Sequence, residues 1–243
     1  MIQTEGIFVG GSAISAPIIG EDFNWSGSDG TYQVLDDGSG NWRIKFLSSG
    51  TFTPLKDMVV DAFLVGAGGC KGHTHCGAGG GGYTTTVRSI VLAANAAYQI
   101  TIGAAGINPT KAGTDGADGG TTSAFAASAL GGKGSLAGSS NARKPGADGG
   151  SGGGGVNISG VHANNSTAAG GTDGENGATA TTAGGTGQGT TTREFGETDG
   201  DLYASGGGDN LTATVPNSGN GGAYHVEPAD GIVVIRQHKE VAA

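Results

Sequence analysis

Charged residues, aromatic rings and prolines are all scarce in this sequence, and the scarcity excludes several classes of protein. Charged residues make up 14% of the chain, and 12 scattered Lys and Arg stand against 21 Asp and Glu, for a net charge of -9. Binding to nucleic acid is not expected, because neutralising phosphates requires clustered cations. Disordered chains are usually rich in charge and proline, whereas this one has only 6 prolines. The composition therefore favours a neutral, hydrogen-bonded, β-rich fold.

Long apolar runs are also missing. No segment approaches the roughly 20 apolar residues of a transmembrane helix, so insertion into a membrane is not expected. The first five residues, Met-Ile-Gln-Thr-Glu, lack the basic start and the apolar run of a signal peptide. The sequence therefore predicts a protein made in the cytoplasm of its producing cell without a signal peptide, which does not fix where it works.

Glycine is the residue in excess, with 53 of 243 positions, and 43 of these glycines lie between Gly66 and Gly222. So many glycines raise the entropy lost on folding and leave few side chains to offset it. Three sets of glycines recur at every third residue: Gly66, Gly69 and Gly72; Gly113, Gly116 and Gly119; and Gly171, Gly174 and Gly177. Three residues per turn is the period of extended polyproline-II geometry. We therefore expect short runs packed in an ordered polyglycine-II-like bundle rather than disorder.

Strand-like patterns lie on both sides of the glycine-rich stretch. Trp42, Ile44 and Phe46 alternate with Arg43 and Lys45, which predicts a β-hairpin of residues 31–35 and 41–47 with one buried face. Further strands are predicted at 59–65, 83–91, 97–102 and 231–236. A turn is expected at 50–54, and at most one helical turn at 125–130.

These patterns predict an all-β fold: a β-sheet or sandwich frame with long glycine-rich insertions that form the bundle, and essentially no helix. Residues 1–49 are expected to be an N-terminal arm and β-hairpin, a region suited to attachment or oligomerisation. Residues 50–243 are expected to be the glycine-rich β domain.

An ordered set of strings resembles the glycine-rich domain of tail-fibre (receptor-binding) proteins of phages and prophages of Gram-positive bacteria, over roughly residues 50–236. These strings are Val60-Asp-Ala-Phe-Leu-Val-Gly-Ala-Gly-Gly69, Gly79-Gly-Gly-Gly-Tyr-Thr-Thr-Thr86, Tyr98-Gln-Ile-Thr-Ile-Gly103, Gly119-Gly-Thr-Thr-Ser-Ala-Phe125, Gly131-Gly-Lys-Gly134, Gly189-Thr-Thr-Thr-Arg-Glu-Phe-Gly-Glu197 and Gly231-Ile-Val-Val-Ile-Arg236. The expected packing also resembles, more loosely, that of the polyglycine-II adhesins at phage fibre tips.

The resemblance implies a virion surface adhesin that recognises a bacterial cell-surface receptor, a polysaccharide or a protein, through loops between the glycine-rich runs. It also implies contact with other virion or tail proteins and a homo-oligomer such as a trimer. Three alternatives stay open: a purely structural fibre or decoration protein, an envelope polysaccharide depolymerase, and an ice-binding surface built on Thr84–Thr86 and Thr190–Thr192. No Ser/His/Asp or Cys/His motif supports catalysis, so the sequence favours a protein that is not an enzyme and has no catalytic residues.

The segment Cys70-Lys-Gly-His-Thr-His-Cys76 is the most distinctive local feature. Cys70, His73, His75 and Cys76 are the ligand types that Zn²⁺ prefers. The pair His73 and His75 alone also resembles the His-x-His motif with which some phage fibre trimers bind an octahedral metal such as iron. A Cys70–Cys76 disulfide and two free thiols are the other interpretations.

Aromatic and charged residues in the glycine-rich half supply the remaining candidates. Tyr203 and Tyr224 are candidate receptor-binding residues, because a flat ring gives contact area at little loss of entropy. Phe125 and Phe195 are expected to seal a sparse core, and Arg193 to form an ion pair that anchors its loop. The histidines at 162, 225 and 238 are isolated in the sequence and are expected to be solvated.

Overall fold

A computed structural model describes residues 7–8, 22–27, 32–36, 42–139, 142–155, 157–158, 161–162, 192–208 and 214–238 of the chain. In these residues the chain forms thirteen strands and one 3₁₀ turn at Glu194–Gly196. The strands are β1 (Ile7–Phe8), β2 (Phe23–Trp25), β3 (Tyr32–Asp36), β4 (Trp42–Phe46), β5 (Gly50–Pro54), β6 (Met58–Val65), β7 (Thr84–Leu92), β8 (Tyr98–Thr101), β9 (Thr122–Ala124), β10 (Ala127–Ala129), β11 (Asn157–Ile158), β12 (Val161–His162) and β13 (Ile232–Gln237).

Two antiparallel sheets form a sandwich. The first has the order β1-β3-β4-β13-β6-β7 and the second the order β10-β9-β8-β5-β2, while β11 and β12 pair with each other. Ile44, Phe46 and Val233 from the first sheet pack against Phe52 and Ile100 from the second in one core. The all-β prediction with a sandwich frame is therefore confirmed.

The predicted hairpin is present as β3 and β4. Val34 pairs with Ile44 and Tyr32 with Phe46, and Ile44 and Phe46 are fully buried. Alternation along β4 places its apolar side chains on the core face, as period-two patterning requires. The strands predicted at 59–65, 83–91, 97–102 and 231–236 are also confirmed, with ends shifted by at most one residue.

Two local predictions were wrong. Residues 50–54 were expected to be a turn but form β5, which pairs with both β2 and β8 and buries Phe52. Residues 125–130 were expected to form at most one turn of helix, but β9 and β10 form a hairpin there. Its two connecting residues, Phe125 and Ala126, have φ of 50° and 60°, the left-handed pair that a type I′ hairpin turn requires.

The N-terminal hairpin belongs to the same folded unit as the glycine-rich segment. Strand β13 pairs with β4 on one side and with β6 on the other. Phe23 lies in the same core as Phe52. The boundary predicted between residues 49 and 50 therefore runs through one sheet and one core.

The second face of the six-stranded sheet carries a smaller core. Phe63 and Val234 point to this face and pack against Phe195 and Tyr203. The ring centroids of Phe63 and Phe195 are 6.0 Å apart. The predicted sealing role of Phe195 is confirmed, since it is buried here.

The glycine-rich segments leave the sandwich at one end, where strands of both sheets start or stop. Val65 at the end of β6 pairs with Thr84 and Ile232, which begin their strands. Thr122 at the start of β9 pairs with Ala129 at the end of β10. The amide of Tyr83 donates to Leu130 O at 2.9 Å and joins the exits of the two sheets. The bundle therefore extends the sandwich in one direction.

Backbone hydrogen bonds in the bundle follow a period of three. Residues three apart in the run 66–70 donate to the same neighbouring segment: Gly66 to Tyr83 and Gly69 to Gly80; Ala67 to Gly120 and Cys70 to Ala117. The residue between them turns to a third neighbour, because Gly68 donates to Ala229. One run thus contacts three neighbours in rotation, as a helix with three residues per turn must.

The returning run, residues 78–83, repeats the pattern. Its amides use three neighbours in turn: Gly79 donates to Gly222 and Gly82 to Gly219; Gly80 to Lys133 and Tyr83 to Leu130; Ala78 to Gly154 and Gly81 to Ser151. All six N···O distances lie between 2.8 and 2.9 Å. The predicted polyglycine-II-like bundle is therefore confirmed in the described residues.

The close approach of these backbones explains the glycines. A Cβ added at Gly66 would lie 2.5 Å from the carbonyl carbon of Leu130, and one at Gly119 would lie 2.6 Å from that of Ala67. Gly113 is an exception, because it has a φ of +77° and nothing within 4 Å of an added Cβ. The predicted set at 171, 174 and 177 lies outside the described residues. Within the described part of the chain, no helix is long and apolar enough to cross a membrane.

Candidate functional site

The far end of the bundle, meaning the end away from the two sheets, is built from the turns that join the glycine-rich runs. Among the described residues, these turns are 71–76, 107–114, 136–139 with 142–144, and 223–226. The amide of His73 donates to Thr114 O at 3.0 Å, and that of Gly138 donates to Thr74 O at 2.8 Å. Three turns from distant parts of the chain are therefore joined by backbone hydrogen bonds and held as one surface.

The two cysteines lie at this end, and both are free and buried. The Cys76 thiol donates to Gly72 O at 3.0 Å, and the Cys70 thiol contacts the side-chain oxygen of Asn108. Each sulfur is thus satisfied by a local oxygen. The structure shows two free thiols here and not a Cys70–Cys76 disulfide.

The four predicted metal ligands are not gathered around one point. Among the described residues, which include all of 70–76, no group of three or more His, Cys, Asp or Glu side chains could hold a metal ion. Burial raises the pKa of Cys70 to about 12, and the nearby charge of Glu227 adds to the rise. A neutral thiol is a poor metal ligand. Binding of Zn or Fe by Cys70, His73, His75 and Cys76 stays a prediction, because these side chains do not form an assembled site in the structure.

The two candidate receptor-binding tyrosines occupy different environments. Tyr203 is only 6% exposed, and its hydroxyl donates to Glu194 Oε2 at 3.2 Å. Its ring packs on Phe63 and forms part of the second core, so it presents no surface in this conformation. Tyr224 is 71% exposed and lies in the turn at 223–226, where its ring is 3.8 Å from that of His225. Of the two tyrosines, Tyr224 is the one whose side chain is exposed.

Large apolar side chains are exposed on several turns of the bundle. Ile107 is 80% exposed, and Leu136 and Val215 are each 54% exposed. Ile107, Leu136 and Tyr224 lie on turns of the far end, whereas Val215 lies outside those turns. Of the described threonines in the two arrays, Thr84 and Thr192 are buried and Thr86 is exposed.

A charged cluster anchors residues 193–203 to the outer face of the six-stranded sheet. The buried carboxylate of Glu194 lies 2.9 Å from Arg43 Nη1 and 3.2 Å from Lys45 Nζ. Lys45 also lies 2.8 Å from Asp201. Burial opposes the charge on Lys45, but Tyr203, Asp201 and Glu194 outweigh it and raise the pKa of the amine. These contacts hold Phe195 and Tyr203 against the sheet.

The ion pair predicted for this loop forms with different partners. Arg193 was expected to supply the cation, but its guanidinium donates to Gly200 O at 3.0 Å. Glu197 pairs with Arg43 and Arg236. The outward positions of Arg43 and Lys45 on β4 were visible in the sequence. Nothing in the sequence joined them to acids about 150 residues away.

The sequence model of a family described as "Glycine-rich domain" matches residues 47–236. This range begins just after β4, ends within β13 and contains the bundle with all its turns. No curated protein matches the chain.

Proposed function

The chain belongs to the glycine-rich domain family, and from that premise we propose that it is a phage tail-fibre tip or another adhesin on a virion surface. It would recognise a bacterial cell-surface receptor through the turns at the far end of the bundle. The ordered strings that resemble the glycine-rich domain of tail-fibre proteins support this proposal, and so does the geometry of the bundle.

The observation that carries the proposal is the separation between packed runs and exposed turns. Side chains are excluded at the closely packed glycines of the runs, where an added Cβ at Gly116 would lie 2.8 Å from the carbonyl carbon of Cys70. The turns carry more side chains than the runs, and among them are exposed residues such as Ile107 and Tyr224. A rigid backbone scaffold that displays side chains on its turns suits a protein whose contact residues must change with its receptor.

The expected receptor is a surface polysaccharide or a protein, and the expected assembly is a homo-oligomer such as a trimer, attached to other virion proteins. Repeated receptors on a cell allow several weak contacts to act together. Linked sites gain avidity through effective concentration, by factors of roughly 10² to 10⁴. Modest single contacts at the turns are therefore sufficient for stable attachment.

Binding of the labelled protein to intact bacteria tests the proposal. Tyr224→Ser and Ile107→Ser remove exposed apolar groups from the far end. The control Val91→Ser removes an apolar side chain that is 75% exposed. Val91 lies on β7, near the end of the sandwich away from the bundle. An interface side chain that matters contributes more than about 1 kcal/mol, so we expect each far-end variant to bind host cells about tenfold more weakly. Val91→Ser should bind like the parent protein.

Three results would contradict the proposal in different ways. Failure to bind any strain across a broad panel would favour a structural fibre or decoration protein. Release of soluble sugar from envelopes would favour a depolymerase. Equal losses for Val91→Ser and Tyr224→Ser would place the binding surface away from the far end.

A further inference from the structure

A second cluster lies on the six-stranded sheet, away from the bundle. In it a serine contacts a histidine, and the histidine contacts an aspartate. Ser89 Oγ lies 3.2 Å from His238 Nε2, and His238 Nδ1 lies 2.6 Å from Asp61 Oδ1. The two ring nitrogens thus face a hydroxyl and a carboxylate. His238 was expected to be solvated because it is isolated in the sequence, and that expectation was wrong.

A β-bulge creates this arrangement. Val60 pairs with Ile90 and Ala62 with Val87, so Asp61 on β6 faces two residues of β7, Arg88 and Ser89. Ser89 has a φ of 57°, which is uncommon for a residue other than glycine. Bulges often re-aim a side chain next to an active site, and strained backbone clusters at functional sites.

Asp61 is held as a carboxylate. It is fully buried, and burial opposes its ionisation. Hydrogen bonds from His238 and from the Ser89 amide, together with the charge of Arg236, outweigh burial and lower the pKa of Asp61. Its second oxygen lies 3.2 Å from Arg88 Nη1 and 3.3 Å from Arg236 Nε. Asp61 therefore acts as a positioning residue that fixes the ring of His238.

The hydrogen bond to Asp61 also selects the tautomer of the neutral ring. In neutral His238, Nδ1 donates its proton to Asp61 Oδ1, so the lone pair of Nε2 faces the Ser89 hydroxyl. The amide of His238 donates to Val59 O at 3.0 Å and fixes the backbone that carries the ring. This is the arrangement in which a histidine removes the proton of an attacking serine.

We propose that Ser89 is the nucleophile of an acyl-transfer site that cleaves small activated carboxylic esters. Its Oγ attacks the ester carbonyl while His238 Nε2 takes the hydroxyl proton. The bond from the carbonyl carbon to the alcohol oxygen breaks, and the alcohol leaves with the proton from His238. Water then hydrolyses the acyl-serine by the same steps, releasing the carboxylic acid and restoring Ser89.

The position of Ser89 defines the substrate class. It is exposed and lies on β7, an edge strand of its sheet, so a small ester reaches it without movement of the chain. Water reaches the same place, and this weakens electrostatic stabilisation of the transition state. The site should therefore acylate readily with good leaving groups and turn over slowly. The inference does not depend on the adhesin proposal, because the cluster is on the sheet and not on the turns.

Labelling with a fluorophosphonate probe, located by peptide mass spectrometry, tests the proposal, with release of nitrophenol from p-nitrophenyl acetate as a second readout. Ser89→Ala should abolish both signals. His238→Ala should slow labelling by about 100-fold, because a positioned general base contributes roughly 10²- to 10⁴-fold. Added imidazole should restore part of the rate in His238→Ala. The control, Ser128→Ala, changes another exposed strand serine and should label like the parent protein.

Thermal unfolding of each variant separates loss of chemistry from loss of fold. The proposal is overturned if the folded parent protein does not label at Ser89. It is equally overturned if labelling of Ser89 is the same in His238→Ala as in the parent, since the serine would then be no more reactive than any exposed hydroxyl.

Discussion

Replacement of Gly69 by alanine tests whether backbone packing holds the bundle together. An added Cβ at Gly69 would lie 2.7 Å from Gly132 O and closer still to the carbonyl of Lys133. Normal contact requires the Lys133 carbonyl to retreat by about 1 Å. That peptide accepts a hydrogen bond from the Gly80 amide at 2.9 Å, and the amide of Lys133 donates to Asp148 O at 2.8 Å.

A shift of that size carries both bonds beyond the usual range of roughly 2.7–3.2 Å. Each buried polar group left unpaired destabilises the fold by about 1–3 kcal/mol. Two broken bonds therefore predict a loss of about 2–6 kcal/mol in the free energy of unfolding. Gly113→Ala is the matched control, because its φ of +77° strains alanine but its added Cβ meets nothing within 4 Å. Its expected loss is about 1–2 kcal/mol.

Urea unfolding followed by far-ultraviolet circular dichroism measures both variants against the parent protein. Amide hydrogen exchange adds a local readout, since the amides of Gly80 and Lys133 should lose protection in Gly69→Ala alone. If Gly69→Ala is no less stable than Gly113→Ala and keeps that protection, close backbone contact is not what fixes glycine in these runs.

Two further predictions concern ionisable groups. The pKa of Asp201 is lowered by its hydrogen bond and ion pair with Lys45, and that of Asp61 is lowered despite burial. Their stabilisation is complete above the unfolded carboxyl pKa of about 3.9 and is lost as the pH falls below it. The free energy of unfolding should therefore fall below about pH 4, and Asp201→Asn should make that fall shallower; an unchanged acid limb would contradict the assignment. Because Cys70 and Cys76 are buried and free, a thiol reagent at pH 8 should react only after denaturation and then count two thiols, whereas a disulfide would give none.

The parts of the fold that follow from local periodicity could be predicted from the sequence. The alternation from Trp42 to Phe46 identified β4 and its buried face, because side chains of a strand point to opposite faces. The spacing of Gly66, Gly69 and Gly72 identified the bundle, because one neighbour is met at every third residue. Both signals are short-range and repeat several times.

Other features depend on which segments meet, and local patterns do not carry that information. Strand β5 was missed because Gly50 and Pro54 bound a short run and suggest a turn, although pairing on both sides overrides this tendency. The cluster of Ser89, His238 and Asp61 brings together residues up to 177 positions apart. No spacing rule identifies such a cluster. The same holds for the contact between Glu194 and Arg43, which decided the environment of Tyr203.

The central position of β13 in its sheet has a consequence for the order of folding. Strands β4 and β6 lie on either side of β13, so neither can complete its ladder until residues 232–237 have been synthesised. The run 66–70 cannot complete its hydrogen bonds earlier either, since the Gly68 amide donates to Ala229 O. Such long-range pairing slows folding and leaves unpaired strand edges open in the meantime. During synthesis, the edges of β4 and β6 that face β13 therefore stay unpaired until almost the whole described length of the chain has been made.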